Sequence, residues 1–183
     1  MGSYKNIVGA FWQPKTVIID PNVLSTLSLR QQHNGLCEAL KMGLILDDHL
    51  VSLFEQETLD IDTIITRSIE LKRDVVQQDE RESNLRKILN FGHTIGHAIE
   101  SAYGLNTYLH GECVAMGMLF FIEDKTLKQR VLNIYKKLDL PQVPDYDTAT
   151  LLEYVTHDKK SNHNTVSTVL VEQSGSYITV SYT

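Results

Sequence analysis

The chain has 183 residues, which is long enough to bury one sizeable hydrophobic core and short enough to favour a single domain. Hydrophobic residues make up 42% and charged residues 22% of the sequence, values that exclude a disordered or a fibrous protein. Seventeen Lys and Arg residues against 23 Asp and Glu residues give a formal net charge of -6 without any basic block, so we expect no nucleic-acid partner.

Two features predict a cytoplasmic protein. No apolar run reaches the ~18 residues of a transmembrane helix, and the first residues contain no signal-peptide core, so we expect no membrane association. Cys37 and Cys113 lie in apolar helical patterns without a Cys-x-x-Cys spacing, which is typical of buried, reduced thiols.

A β-branched segment precedes the first predicted helices. Residues 16–20 read Thr-Val-Ile-Ile-Asp between two prolines, a pattern that predicts one isolated strand. From Leu29 the apolar period changes from 2 to 3.6, which predicts two helices with Asp47 and Asp48 as N-cap residues between them. A further amphipathic helix is expected to begin at Asp60.

The second half of the chain is predicted to be helical with a terminal hairpin. One helix is expected over residues 84–103, with Gly104 as its C-cap. The next begins near His110 and is apolar on nearly all sides, so we expect it at the centre of the fold. A mainly α fold is completed by helices at about 125–138 and 147–157 and by a β-hairpin over 166–180.

The predicted helix at 84–103 combines a polar stripe with two glycines. Residues at i, i+4, i+7 and i+11 would lie within about 60° of one another on a continuous helix. Here these are Arg86, Asn90, His93 and His97. Gly92 and Gly96 each cost roughly 1 kcal/mol relative to Ala inside a helix. We therefore expect a neighbouring backbone or a ligand to approach closely at these glycines.

The histidines of this stripe indicate a metal site. His93 and His97 can point two ring nitrogens at one centre, although surface or core histidines would give the same spacing. His110 opens the next helix, and Glu38 is the single acidic residue of the apolar run at 36–40. Two imidazoles and one carboxylate that leave a coordination position open are typical of a catalytic divalent-metal site.

Four lysines have two possible interpretations. Lys72 lies on the apolar stripe of its predicted helix, either because its stem snorkels along the core or because its ammonium contacts an anion at the edge of a pocket. Lys41, Lys159 and Lys160 could likewise be solvated charges or anion contacts.

Five segments occur in the order and spacing of one enzyme family. They are NIVGAFWQP at 6–14, GLCEALK at 35–41, LNFGHTIGHAIE at 89–100, HGE at 110–112 and DKK at 158–160. On these motifs the chain resembles the 3-dehydroquinate synthases of the sugar-phosphate cyclase superfamily, and the resemblance covers nearly the whole chain.

The resemblance implies a domain organisation. In this family an N-terminal NAD-binding α/β domain precedes a C-terminal helical domain, the active site lies between them, and the full enzyme is a homodimer. Because the sequence has no glycine-rich phosphate loop, we expect a fragment that is inactive by itself. Residues 1–28 would be a strand and linker leading from a missing NAD-binding domain. Residues 29–183 would be the helical domain that binds metal and substrate.

The resemblance also implies the metal ligands and the catalytic residues. Glu38, His93 and His110 match the ligands of a divalent metal, Zn²⁺ or Co²⁺. Three residues match catalytic positions, namely His97, Lys72 and Glu82. His97 would act near the substrate phosphate.

Two further groups of positions would contact substrate and cofactor. Arg86 and Lys72 match contacts to a substrate carboxylate. The full set of substrate-binding positions is Asn6, Lys41, Lys72, Arg86, Asn90, His97, Lys159 and Lys160. The positions that match contacts to NAD are Lys5, Val23, Leu24, Ser25 and Thr26.

The family reaction is a phosphate-eliminating cyclisation of the shikimate pathway, which leads to chorismate and the aromatic amino acids. The sugar phosphate 3-deoxy-D-arabino-heptulosonate 7-phosphate is oxidised by NAD, loses phosphate, is reduced again and closes to 3-dehydroquinate. We expect this chain to belong to such a lyase. The alternatives are another sugar-phosphate cyclase, whose substrate lacks the carboxylate, and a non-catalytic metal-binding helical domain. Metal-dependent alcohol dehydrogenases share the His-x3-His pair but lack the LNFGH and DKK motifs.

Overall fold

The computed structural model describes residues 12–104, 107–145 and 166–182, and within them the chain is mainly helical. The α-helices are α1 (Leu29–Leu46), α2 (Asp48–Glu55), α3 (Ile61–Gln78), α4 (His93–Tyr103), α5 (His110–Met118) and α6 (Lys125–Lys137). Short 3-10 helices occupy Pro21–Thr26, Leu85–Asn90 and Leu119–Phe121, and two strands, β1 (Val166–Leu170) and β2 (Ile178–Tyr182), form an antiparallel pair. The mainly α fold with a β-hairpin is therefore confirmed.

Short polar residues define where the helices begin. Asp47 ends α1 and caps α2 by accepting a hydrogen bond from the backbone N–H of His49, and Asp60 caps α3 by accepting one from Thr63. These side chains satisfy backbone donors that have no partner inside the helix. Gly104 ends α4 with a positive φ of 83°. The predicted caps at Asp47 and Gly104 and the predicted beginning of a helix at Asp60 are confirmed.

The centre of the fold is α5, as its sequence predicted. Every residue from Gly111 to Met118 is buried, and the helix packs against α4 on one side and α1 on another. Cys37 and Cys113 are fully buried and form no disulfide with each other. Among the described helices, none combines the length and the apolar character needed to span a bilayer.

The hairpin and α6 close the fold on the side of α2. Gly175, in the connection between β1 and β2, has a φ of 82°, and its N–H donates to the Leu44 carbonyl at 2.9 Å. The Arg130 guanidinium of α6 donates to both carboxylate oxygens of Glu55 in α2 at 2.7 and 2.8 Å and to the Ser174 hydroxyl at 3.0 Å. These bonds join α6, α2 and the hairpin loop.

The strand predicted at 16–20 does not form. These residues have no strand structure and are exposed to solvent. A strand requires a hydrogen-bonding neighbour, and within the described residues none lies beside this segment. The helix predicted at 147–157 lies outside the described residues.

The continuous helix predicted over 84–103 is also wrong. The segment is a 3-10 helix to Asn90, then a turn, and then α4 from His93. Gly92 causes the break because its φ of 77° is left-handed, a conformation that side-chain-bearing residues rarely adopt. Arg86 and Asn90 therefore lie on a different element from His93 and His97.

Candidate metal centre and adjoining cavity

Three helices bring one carboxylate and two imidazoles together. Glu38 lies in the middle of α1, whereas His93 and His110 are the first residues of α4 and α5. His93 Nε2 lies 3.5 Å and His110 Nε2 3.6 Å from Glu38 Oε1, and one ligand atom from each residue falls within 4.8 Å of the others. The three residues that the sequence indicated as metal ligands thus converge on one point.

The carboxylate of Glu38 supports a cation at that point. Its Oε1 atom is buried and, within the described residues, has no hydrogen-bond partner, because 3.5 and 3.6 Å are too long for hydrogen bonds. A buried polar oxygen without a partner costs free energy. A divalent ion between Oε1 and the two Nε2 atoms would remove that cost, so these three residues fit a metal of the Zn²⁺ or Co²⁺ type.

His93 is held as a neutral imidazole with Nε2 facing the centre. Its Nδ1 lies 3.1 Å from the Phe91 carbonyl oxygen, a hydrogen bond that keeps the proton on Nδ1. Burial, helped by the nearby charge of Lys41, lowers the pKa of His93 to about 4. At neutral pH the Nε2 lone pair is therefore available to a metal.

Lys41 is a buried partner of Glu38. Its Nζ donates to Glu38 Oε2 at 2.6 Å, and only 4% of the residue is exposed. Burial by itself would raise the pKa of Glu38, but His110, Lys41 and His93 outweigh it and hold that pKa well below its usual range. The interpretation of Lys41 as a solvated charge is thus excluded.

His97 lies beside the three candidate ligands. Its ring centroid is 5.4 Å from that of His93 and 5.8 Å from that of His110. His97 also forms a second possible ligand group with Glu100 and His110, which shares His110 with the first group. The predicted proximity of His93 and His97 is present, although they lie one turn apart on a shorter helix.

Small residues allow α4 and α5 to approach closely. A Cβ atom at Gly96 would lie 3.0 Å from the Cys113 carbonyl oxygen, and one at Gly117 would lie 2.1 Å from the Gly92 carbonyl oxygen. The expectation that a neighbouring backbone approaches Gly92 and Gly96 is therefore confirmed. This close approach sets the distance between the first residues of the two helices, His93 and His110.

A second set of contacts joins α1 to the beginning of α5. The guanidinium of Arg30 donates to Glu112 Oε1 at 2.6 Å and to Oε2 at 2.8 Å, and the Gly111 N–H donates to Asn34 Oδ1 at 2.7 Å. A Cβ atom at Gly111 would lie 2.1 Å from the Asn34 carbonyl oxygen, so the HGE motif requires glycine there. The sequence did not indicate Arg30 or Asn34, which lie 77 or more residues from their partners.

A cavity of about 460 Å³ adjoins two of the candidate metal ligands, Glu38 and His93. Its walls come from α1, α3 and the 3-10 helix Leu85–Asn90. The apolar part includes Ile65 and Ile69 of α3. The polar residues lining it include Glu38, Lys41, Lys72, Glu82, Arg86, Asn90 and His93. Seven residues that the sequence assigned to metal, substrate or catalysis therefore line one space.

The loop that carries Glu82 is organised by Asp79. One carboxylate oxygen of Asp79 accepts from the Ser83 N–H at 2.9 Å, and the other accepts from the Asn84 and Arg86 N–H groups at 2.7 and 3.0 Å. These backbone donors hold the pKa of Asp79 well below its usual range. Glu82 has a φ of 58° and accepts from Asn90 Nδ2 at 2.7 Å.

Most of the positions that match NAD contacts in the family do not line this cavity. Residues 23–26 form most of the 3-10 helix Pro21–Thr26, and of these Leu24 lines the cavity. The Ser25 and Thr26 hydroxyls donate to carbonyls of the same 3-10 helix, at Asn22 and Val23. Lys5, Asn6, Lys159 and Lys160 lie outside the described residues.

The fold and the site together define a helical domain with a candidate divalent-metal centre beside a cavity lined by cationic and amide groups. A family model described as 3-dehydroquinate synthase C-terminal matches residues 35–161, and one described as 3-dehydroquinate synthase N-terminal matches residues 1–34. The chain belongs to the 3-dehydroquinate synthase family.

Curated relatives agree with this assignment. The 3-dehydroquinate synthase of Geotalea uraniireducens is 40% identical over 192 residues, which cover 94% of this chain and 53% of the relative. That of Caldanaerobacter subterraneus subsp. tengcongensis is 43% identical and covers 91% of this chain and 51% of the relative. The chain thus spans about half the length of the curated relatives it matches.

Solved structures with this fold include other cyclases. The 2-epi-5-epi-valiolone synthase ValA of Streptomyces hygroscopicus subsp. jinggangensis, solved with NAD⁺ and Zn²⁺, matches 96% of this chain and 54% of that chain with a TM-score of 0.86 and 26% identity. A 2-deoxy-scyllo-inosose synthase with carbaglucose-6-phosphate, NAD⁺ and Co²⁺ matches 95% of this chain and 53% of that chain with a TM-score of 0.79 and 26% identity.

Proposed function

We propose that this chain supplies the metal- and substrate-binding part of a 3-dehydroquinate synthase. In this proposal the substrate is 3-deoxy-D-arabino-heptulosonate 7-phosphate, and the products are 3-dehydroquinate and phosphate. The observation that carries the proposal is the orphaned Glu38 Oε1, which faces His93 and His110 at the wall of a cavity that is also lined by Lys72 and Arg86.

The chain has side chains that can bind each anionic end of the proposed substrate, the carboxylate and the phosphate. The fork of Arg86 donors suits a carboxylate, and its Nη1 donates to the Glu80 carbonyl at 2.7 Å. Lys72 of α3, which also lines the cavity, adds a point charge for the same end. Asn90 and His97 are assigned to the phosphate end, where the His97 imidazole would exchange a proton with phosphate oxygen.

Oxidation and reduction of the substrate require two bound groups, a divalent metal ion and NAD. A divalent ion held by Glu38, His93 and His110 supplies Lewis acidity for a substrate hydroxyl, and NAD supplies reversible hydride acceptance. The task of the chain's own residues is to hold both anionic ends in a fixed orientation. Glu38 keeps its negative charge for the ion because Lys41 and the imidazoles hold its pKa low.

The activity is tested by phosphate release. The chain is incubated with the heptulosonate phosphate, NAD⁺ and Co²⁺, alone and with the N-terminal half of the Geotalea relative. We expect release only in the mixture with the N-terminal half, and there it should require both NAD⁺ and metal and disappear in Glu38→Ala. The matched control is Glu70→Ala on α3, which removes a half-exposed carboxylate, paired with Arg67, from a position outside the cavity. A metal-loaded chain without release under either condition would contradict the proposal and favour a non-catalytic metal-binding domain.

A second candidate is a cyclase whose substrate lacks a carboxylate. The solved neighbours favour it, since one is a 2-epi-5-epi-valiolone synthase and the other a 2-deoxy-scyllo-inosose synthase. Arg86 and Lys72 in the cavity favour the carboxylate substrate. The two candidates are separated by comparing phosphate release from the heptulosonate phosphate and from sedoheptulose 7-phosphate. Arg86→Met should reduce turnover of the first substrate far more than of the second.

A further inference from the structure

A buried glutamate, Glu100, lies on the side of His110 that faces away from Glu38. Glu100 lies on α4, and its side chain is 7% exposed. One of its carboxylate oxygens, Oε2, lies 3.6 Å from His110 Nδ1, while His110 Nε2 faces Glu38. The His110 ring therefore lies between two carboxylates, one on each nitrogen.

The two ring nitrogens must differ for His110 to bind a metal. A neutral imidazole carries one proton, so a lone pair at Nε2 requires the proton at Nδ1. His93 meets this requirement through its bond from Nδ1 to the Phe91 carbonyl. For His110, the group that faces Nδ1 is the Glu100 carboxylate, at an ion-pair distance of 3.6 Å rather than in a hydrogen bond, and its negative charge favours the proton on Nδ1.

The position of Glu100 on the helix supports this reading. It lies seven residues after His93, two turns along the same helical face, so α4 carries one ligand and also the group that faces the other ligand. Its neighbours Ala98 and Ile99 are buried in an apolar cluster with Cys113 and Met116. A carboxylate in such surroundings is costly unless a cationic or hydrogen-bonding partner offsets the loss of hydration.

We propose that Glu100 is a positioning residue that holds the Nδ1–H tautomer and the ring orientation of His110, so that Nε2 points at the metal. This inference rests on the metal centre of the proposed function. The competing possibility is that Glu100 is itself a ligand, with His97 and His110, of a second ion.

The experiment measures Co²⁺ on the full chain by chelator competition, elemental analysis and the visible absorption of bound Co²⁺. For Glu100→Gln we expect one bound ion, an affinity lower by about 10- to 100-fold and an altered Co²⁺ spectrum. Glu100→Asp keeps the charge with a shorter reach and should fall between Glu100→Gln and the wild type. The control, Glu70→Gln, removes a half-exposed carboxylate of α3 that pairs with Arg67, and it should change neither the affinity nor the spectrum.

Three results would overturn the inference. The first is a folded Glu100→Gln chain with wild-type affinity and spectrum. The second is two ions per wild-type chain, one of which is lost in Glu100→Gln, because Glu100 would then be a ligand. The third applies if Glu100→Gln does not fold. It is a Glu100→Asp chain that binds Co²⁺ as tightly as the wild type. Failure of the metal centre itself has a different signature, since the wild-type chain would then bind no Co²⁺.

Discussion

Arg30 and Glu112 form a two-point ion pair between the two helices that carry Glu38 and His110. Both guanidinium contacts are short, at 2.6 and 2.8 Å, and the Glu112 side chain is 3% exposed, whereas that of Arg30 is 57% exposed. Glu112 also accepts from the Leu109 N–H at 2.8 Å, directly before His110. The pair therefore fixes the beginning of α5 against α1.

Removal of Arg30 should destabilise the chain and weaken metal binding. Arg30→Ala leaves a buried carboxylate without its cation, and we expect the free energy of unfolding to fall by about 2 to 3 kcal/mol. Urea unfolding measures this loss. Arg73→Ala, which removes an exposed pair with Asp74, should cost less than about 1 kcal/mol. Equal losses in the two variants would contradict the role given to Arg30.

Alanine substitution at two helical glycines should change the stability of the chain in opposite directions. At Gly96 of α4 the added Cβ would meet backbone atoms of Cys113 and Val114 at 3.0 to 3.1 Å, so α5 must move and we expect a loss of about 1 to 3 kcal/mol. At Gly35 of α1 nothing lies within 4 Å, and Ala should stabilise the helix by about 0.5 to 1 kcal/mol. Thermal unfolding of both variants tests the pair. A neutral Gly96→Ala would show that α4 and α5 are not in close contact.

Replacement of Asp79 should loosen the loop that carries Glu82 and Arg86. Asp79→Ala removes the acceptor of three backbone N–H groups. We expect faster amide hydrogen exchange at Ser83, Asn84 and Arg86, because these donors then face only water. Asp62→Ala, at an exposed position in the first turn of α3, is the control. Unchanged exchange in Asp79→Ala would show that the loop has another support.

The metal-free chain should lose stability in mild acid because of His93. Its folded pKa of about 4 lies below the ordinary value of 6.5, so between these values the unfolded chain binds the proton and the folded chain does not. The free energy of unfolding therefore falls as the pH drops below 6.5, by about 2 kcal/mol at pH 5. His110 acts in the opposite sense, since Glu38 raises its pKa.

The contribution of His93 is isolated by comparing urea unfolding of the wild type and His93→Gln at pH 7 and pH 5 in chelator. We expect the variant to lose less stability between the two pH values than the wild type. Equal losses would mean that His93 is accessible to protons in the folded chain.

The sequence predicted the helices because helix formation depends on local spacing, whereas Glu38, His93 and His110 were indicated as one ligand set by the family resemblance. The caps at Asp47 and Asp60 and the apolar period of α5 are short-range patterns that the fold retains. The sequence did not predict the break at Gly92, since glycine in an apolar helical pattern is compatible with either a helix or a turn. The contact with Val114 and Met118 of α5 decides between them.

Long-range pairs were the other part that spacing could not predict. Arg30 and Glu112 are 82 residues apart, so neither residue's local pattern indicates the other. Lys41 was ambiguous because its local pattern does not show which neighbouring helix covers it. Glu100 had a signal that was available, namely an acidic residue directly after buried Ala98 and Ile99 in an apolar stripe.

The central claim is that Glu38, His93 and His110 bind one divalent ion. It is tested most directly by elemental analysis of the purified chain after Zn²⁺ or Co²⁺ loading, with Glu38→Ala, His93→Ala and the control Glu70→Ala in parallel. We predict about one ion per chain in the wild type and in Glu70→Ala, and loss of the ion in the other two variants. A wild-type chain that binds no ion, or a Glu38→Ala chain that keeps it, would contradict the account.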